Sequence, residues 1–146
     1  MKKIVVLLGV ILCFITGCTP EKFQLDEEFY GTGVIKEISF EEFKELKNQN
    51  YLLFTFNNFC ALAVPCEDIF KDFATTYHID FLSMKFEEFK KTPLHKTVSF
   101  APSVLIIHQW NIVAFLDSEK EEDLEKFQDV EAFKTWLEKY VSLTKE

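Results

Sequence analysis

Tyr51 to Tyr77 reads YLLFTFNNFCALAVPCEDIFKDFATTY. Its opening, Tyr51 to Phe56, is rich in aromatic and apolar residues and carries no charge, the pattern of a strand covered on both faces. From Cys66 the period changes. Ile69, Phe70, Phe73 and Tyr77 fall on one face of a helix expected over Cys66 to Tyr77. Asn57 to Pro65 is then a loop, and it holds Cys60.

On the N-terminal side, Gly33 to Ile38 reads as a first strand. Ser39 and Glu42 form a capping box, which starts a helix running from Phe40 to about Lys47. Asn48 to Asn50 is a turn. On the C-terminal side, Ile79 to Phe86 reads as a strand. Glu87 to Thr97 is helix-prone but broken at Thr92-Pro93, where a short helix can start with Pro93 at its first position. Ser103 to His108 and Ile112 to Phe115 are strands joined by a tight turn, hence antiparallel. Asp117 to Gln128 is an acidic run with no assigned structure. Asp129 caps a last helix, striped by Phe133, Trp136, Leu137, Tyr140 and Val141. The order β-α-β-α-β-α-β-β-α implies an α/β domain over residues 34–146.

The N-terminus has a different character. Lys2 and Lys3 precede an apolar run, Ile4 to Ile15, that is too short to span a bilayer, which takes about 20 residues. This is the pattern of a secretory signal, residues 1–17. Ile15-Thr16-Gly17-Cys18 resembles the lipobox of bacterial lipoproteins, which implies cleavage before Cys18 and a lipid on that cysteine. Residues 18–33 are expected to be a polar tether, and the protein is expected on the extracytoplasmic face of a cell membrane.

Loss of Lys2 and Lys3 with the leader takes the formal charge from −8 to −10. All sixteen basic residues are lysines. An acidic chain without arginine has no electrostatic footprint for nucleic acid, and none is expected as a partner. Seventeen phenylalanines supply a large core. With Cys13 in the leader and Cys18 at the lipid, Cys60 and Cys66 are the remaining cysteines, and outside the cytoplasm they are a potential disulfide.

From Val34 to Ser142 the chain resembles thioredoxin. The strand YLLFTF runs into Phe59-Cys60, Pro65-Cys66 opens the next helix, and Ala101-Pro102 precedes the strand SVLII. More closely, it is similar to the small thioredoxin-like lipoproteins and bacteriocin-accessory proteins of Gram-positive bacteria. The resemblance implies a thioredoxin-like fold, a central mixed sheet with flanking helices. It also implies a cis-proline at Pro102, facing the cysteine pair. Three departures stand beside it. Five residues, not two, separate the cysteines. Thioredoxin's buried acid, six residues before the first cysteine, is Phe54. Glu67 follows the second cysteine, where a basic residue is common.

A thiolate is the attacking species, and a helix N-terminus stabilises it. The resemblance then implies that Cys60 attacks, Cys66 resolves the mixed disulfide and Pro102 shapes the substrate groove. Substrates would be exported proteins or peptides, with a separate redox partner recycling the pair. The other reading is a redox-inactive thioredoxin-fold module that holds a partner at the membrane. No cofactor is expected. No metal is expected either, since the cysteines with His78, His95 and His108 match no zinc or copper spacing.

Overall fold

The computed structural model describes residues 22–57 and 64–145. The leader, Cys18 and Cys60 lie outside the described residues. Five strands form one mixed sheet: β1 (Ile35–Glu37), β2 (Asn50–Phe56), β3 (Phe81–Lys85), β4 (Ser103–His108) and β5 (Asn111–Asp117). Their order is β1-β3-β2-β4-β5, with β1, β3 and β2 parallel and β4 and β5 antiparallel to their neighbours. The helices are α1 (Phe40–Glu45), α2 (Cys66–Tyr77), α3 (Phe86–Phe89), α4 (Glu121–Leu124) and α5 (Val130–Leu137). This is the thioredoxin-like fold.

Strand β2 is central and buried from Tyr51 through Thr55, as its uncharged sequence requires. On one face Phe54 meets Phe70 of α2 at 5.0 Å between ring centroids. Phe70 also touches Phe81, Phe127 and Phe133, so one ring ties β2, β3, α2 and α5 together. On the opposite face Tyr51 packs against Phe29. The capping box forms at α1, with Ser39 Oγ accepting from the Glu42 N–H and the Glu42 carboxylate accepting from the Ser39 N–H. Asp129 caps α5 by accepting from the Ala132 N–H at 2.8 Å.

Several boundaries move for identifiable reasons. β1 begins at Ile35 because the Gly33 and Val34 N–H groups donate to the Asp80 carboxylate instead of to the ladder. Gly33 sits at φ 71°, and a Cβ there would lie 2.5 Å from the Ala74 carbonyl oxygen, so only glycine fits. The β4–β5 turn is two residues, Gln109 and Trp110, both at positive φ, which matches the twist of the strands it joins. β5 therefore starts at Asn111 and runs on to Asp117. The acidic run coils into α4 and a 3-10 turn, Glu125–Phe127, whose Phe127 is fully buried. Thr92 precedes a second 3-10 turn that carries Pro93 in its first turn.

Residues 22–33 do not behave as the expected tether. Leu25 and Phe29 are buried, and Glu27–Phe29 forms a 3-10 turn. Phe23 bridges to Val141 in parallel, with its N–H on the Tyr140 carbonyl and its own carbonyl accepting from Ser142. The Tyr30 hydroxyl accepts from the Leu25 N–H at 3.0 Å and donates toward the Ser142 carbonyl at 2.8 Å. This segment is a strap on the domain. Its apolar side chains find partners that lie far away in sequence.

Tyr51 carries a prediction. Its hydroxyl is buried with no hydrogen-bond partner among the described residues, and burial pushes its ionisation well above the ordinary value of 10. Tyr51→Phe should be neutral or stabilising at pH 7, by up to about 1 kcal/mol. Above pH 10 the unfolded chain releases this proton and the folded chain keeps it, so stability falls as pH rises. That loss is about 1.4 kcal/mol at pH 11 for this one group. Tyr51→Phe should lack it, while Tyr30 and Tyr77, also shifted upward, keep their share. Urea melts at pH 8 and pH 11 check this. An equal alkaline loss in both proteins would refute it.

Candidate functional site

Cys66 is the first residue of the twelve-residue α2, directly after Pro65. Its side chain is only 3% exposed. Val64, two residues earlier, is held from both sides by one amide. Its N–H donates to Gln128 Oε1 at 3.2 Å, and its carbonyl accepts from Gln128 Nε2 at 3.0 Å. Gln128 thus fixes the approach to Cys66 from the segment before α5. No local signal marks Gln128 in the sequence, because its partner is 64 residues away.

Pro102 is buried at the start of β4, and the Ala101-Pro102 bond is cis. Thr55 pairs with Ser103, so the exit of β2 meets the start of β4. Asn57, the last described residue before the cysteine loop, donates from Nδ2 to the Ala101 carbonyl at 3.2 Å. Ser103 Oγ donates to the Phe100 carbonyl at 2.8 Å and shapes the same bend. Asn57 and Pro102 therefore meet at the exit of β2, the end of the sheet where Glu67, next to Cys66, lines a cleft with Phe54 and Phe56. Phe100 and Val64, 44% and 39% exposed, give that end apolar surface.

The electrostatics are mixed. Glu67 forms a 2.8 Å ion pair with Lys71, one turn along α2. That hydrogen bond and charge hold the Lys71 ammonium protonated to higher pH than usual. The pair lines a cleft of about 300 Å³ together with Phe54, Phe56, Ser83 and Glu37. Phe54, in the place of thioredoxin's acid, is buried among rings and supplies no proton. A cavity of about 390 Å³ lies between the strap and α1, lined by Phe29, Ile38 and Leu46, and holds no cysteine.

The histidines are dispersed. His78 ends α2 in the left-handed conformation, His95 Nδ1 sits 3.3 Å from the Val98 carbonyl, and His108 ends β4 away from Cys66. Among the described residues no group of histidine, cysteine and acidic side chains is placed to hold a metal.

No family model matches the sequence, and no curated protein matches it. Solved structures do. Thioredoxin f from spinach chloroplast is 19% identical, over 70% of this chain and 88% of that one, with a TM-score of 0.47. The oxidised thioredoxin of Plasmodium falciparum is 17% identical, over 68% and 97%, with a TM-score of 0.49. A thioredoxin from Nicotiana alata is 20% identical, over 66% and 90%, with a TM-score of 0.46.

Proposed function

We propose that this protein is a membrane-anchored, extracytoplasmic thiol-disulfide oxidoreductase acting on exported proteins or peptides through Cys60 and Cys66. The observation that carries the reading is the position of Cys66. It is the first residue of a long helix, where the helix dipole favours a thiolate. Its burial suits the resolving role rather than the attacking one. In the reducing direction, the Cys60 thiolate attacks a substrate disulfide and expels one substrate thiolate. Cys66 then attacks the Cys60 sulfur, which forms the Cys60–Cys66 disulfide and releases the second substrate thiolate. Two electrons pass from the pair to the substrate, and oxidation of a dithiol is the reverse sequence. Among the described residues no helix is long and apolar enough to cross a membrane. The anchor in this reading is the lipid on Cys18.

Equilibration against a glutathione series tests the redox reading. A reversible two-electron transition without unfolding is expected. A pair that never reduces while the fold persists would leave the binding-module reading in its place. Glu67 and Asp68 tune the same measurement. Their charges oppose a thiolate at Cys66, although Lys71 already offsets Glu67. A Glu67→Gln, Asp68→Asn variant should shift the potential upward by roughly 10–20 mV, as expected for exposed charges. An unmoved potential would mean that loop geometry, not charge, sets the poise.

A further inference from the structure

The strap and the cysteine site occupy opposite ends of the sheet. Asp26 donates its N–H to the Asn50 carbonyl at 3.0 Å, and Asn50 Nδ2 donates to the Gln24 carbonyl at 3.2 Å. Asn50 is the first residue of β2, whereas Cys66 follows the loop that leaves the last. Seven residues of strand separate these ends by about 20 Å. Five peptide links join Cys18 to Phe23, the first residue held by the domain. Whatever their conformation, they reach at most about 18 Å.

Carboxylates outnumber lysines at both ends of the sheet. Asp117 pairs with Ser103 at the cysteine end, and Gln128 grips Val64 there. Between Asp117 and Asp129 the chain carries seven carboxylates against two lysines, and Glu67 and Asp68 lie at the same end with Lys71 and Lys85. At the strap end Lys22, Lys47, Lys139 and Lys145 stand against Asp26, Glu27, Glu28, Glu45, Asp80 and Glu138.

We propose that the strap end faces the bilayer and that the Cys66 end points away from it. The site then meets aqueous, exported chains about 20–40 Å above the lipid, not cysteines lying at the bilayer surface. This rests on the lipid anchor at Cys18.

The test uses the full lipidated protein in phosphatidylcholine–phosphatidylglycerol vesicles that contain a dansyl-headgroup lipid. Trp110 lies at the strap end, since its neighbour Gln109 donates to the Gln49 carbonyl. Trp136 packs on Tyr140, which holds Phe23, so it too lies toward the strap end; Trp110→Phe should lower the energy transfer to dansyl by a measurable share, and the signal left from Trp136 is the baseline. Adding Phe100→Trp at the cysteine end should restore little, at least three-fold less than Trp110 supplied. Transfer from position 100 equal to that from Trp110 overturns the orientation. Failure of the protein to sediment with the vesicles overturns the anchor itself. Hydrogen exchange on the unsubstituted protein gives a second readout, compared with Cys18→Ser in solution. Added protection belongs at residues 22–28 and 109–111, and added protection at 64–68 instead overturns the proposal.

Discussion

Phe70→Ala will lower the unfolding free energy by about 3–5 kcal/mol, the usual cost of deleting a buried aromatic ring. Phe70 is fully buried and sits one turn from Cys66, in contact with Phe54, Phe81, Phe127 and Phe133. Four surrounding rings on separate elements leave little room for collapse, so the upper part of that range is expected. A domain of this size has about 5–15 kcal/mol in all. Urea denaturation gives the number directly. Val113→Ala, on the exposed side of β5, should stay within about 0.5 kcal/mol and serves as the control. A loss below 1 kcal/mol at Phe70 would mean that the ring cluster does not hold the start of α2 against the sheet.

Cys66→Ser will abolish turnover and leave substrate attached through Cys60. Without a resolving thiol the mixed disulfide has no internal route to breakdown. The replacement is close in size, so the fold should remain. Expression of this variant should produce reductant-sensitive adducts on a non-reducing gel, and mass analysis should place them on Cys60. Sustained turnover by the Cys66→Ser protein would assign resolution to a thiol from outside the chain. In the unsubstituted reduced protein, Cys66 should alkylate slowly until denaturant is added, as its 3% exposure requires.

Much of this architecture is written in local patterns. The apolar stripe from Ile69 to Tyr77 marks α2 from Cys66 to Tyr77, and Ser39 with Glu42 marks the start of α1. Ser103 to His108 reads correctly as β4 because it is a short uncharged run followed by a turn. What local pattern cannot show is a partner distant in sequence. Leu25 and Phe29 lie in an acidic segment without periodicity, and they are buried only because the chain around Asn50 and Val141 comes back to cover it. Asp80 gathers Thr32, Gly33 and Val34 from nearly fifty residues away, which shortens β1. At the site, the helix-start position of Cys66 and the cis bond at Pro102 match the resemblance. The Gln128 clamp on Val64 does not follow from it. Cys60 lies outside the described residues, and its role rests on the family resemblance.

The two margins of the sheet are unlike each other. β1 is three residues long and carries Lys36 and Glu37, so it offers little to an approaching chain. β5 is seven residues long, and from Ile112 to Leu116 it has no charge and no proline. Among the described residues, no strand lies beside its outer row of N–H and C=O groups. That row is a template for edge-to-edge strand addition, and the run IVAFL has the composition that favours it. Asp117 and Lys120 guard only one end. A lysine in place of Val113, already turned toward solvent, would blunt the edge without touching the core. At high local concentration this margin is the part of the surface most open to self-association.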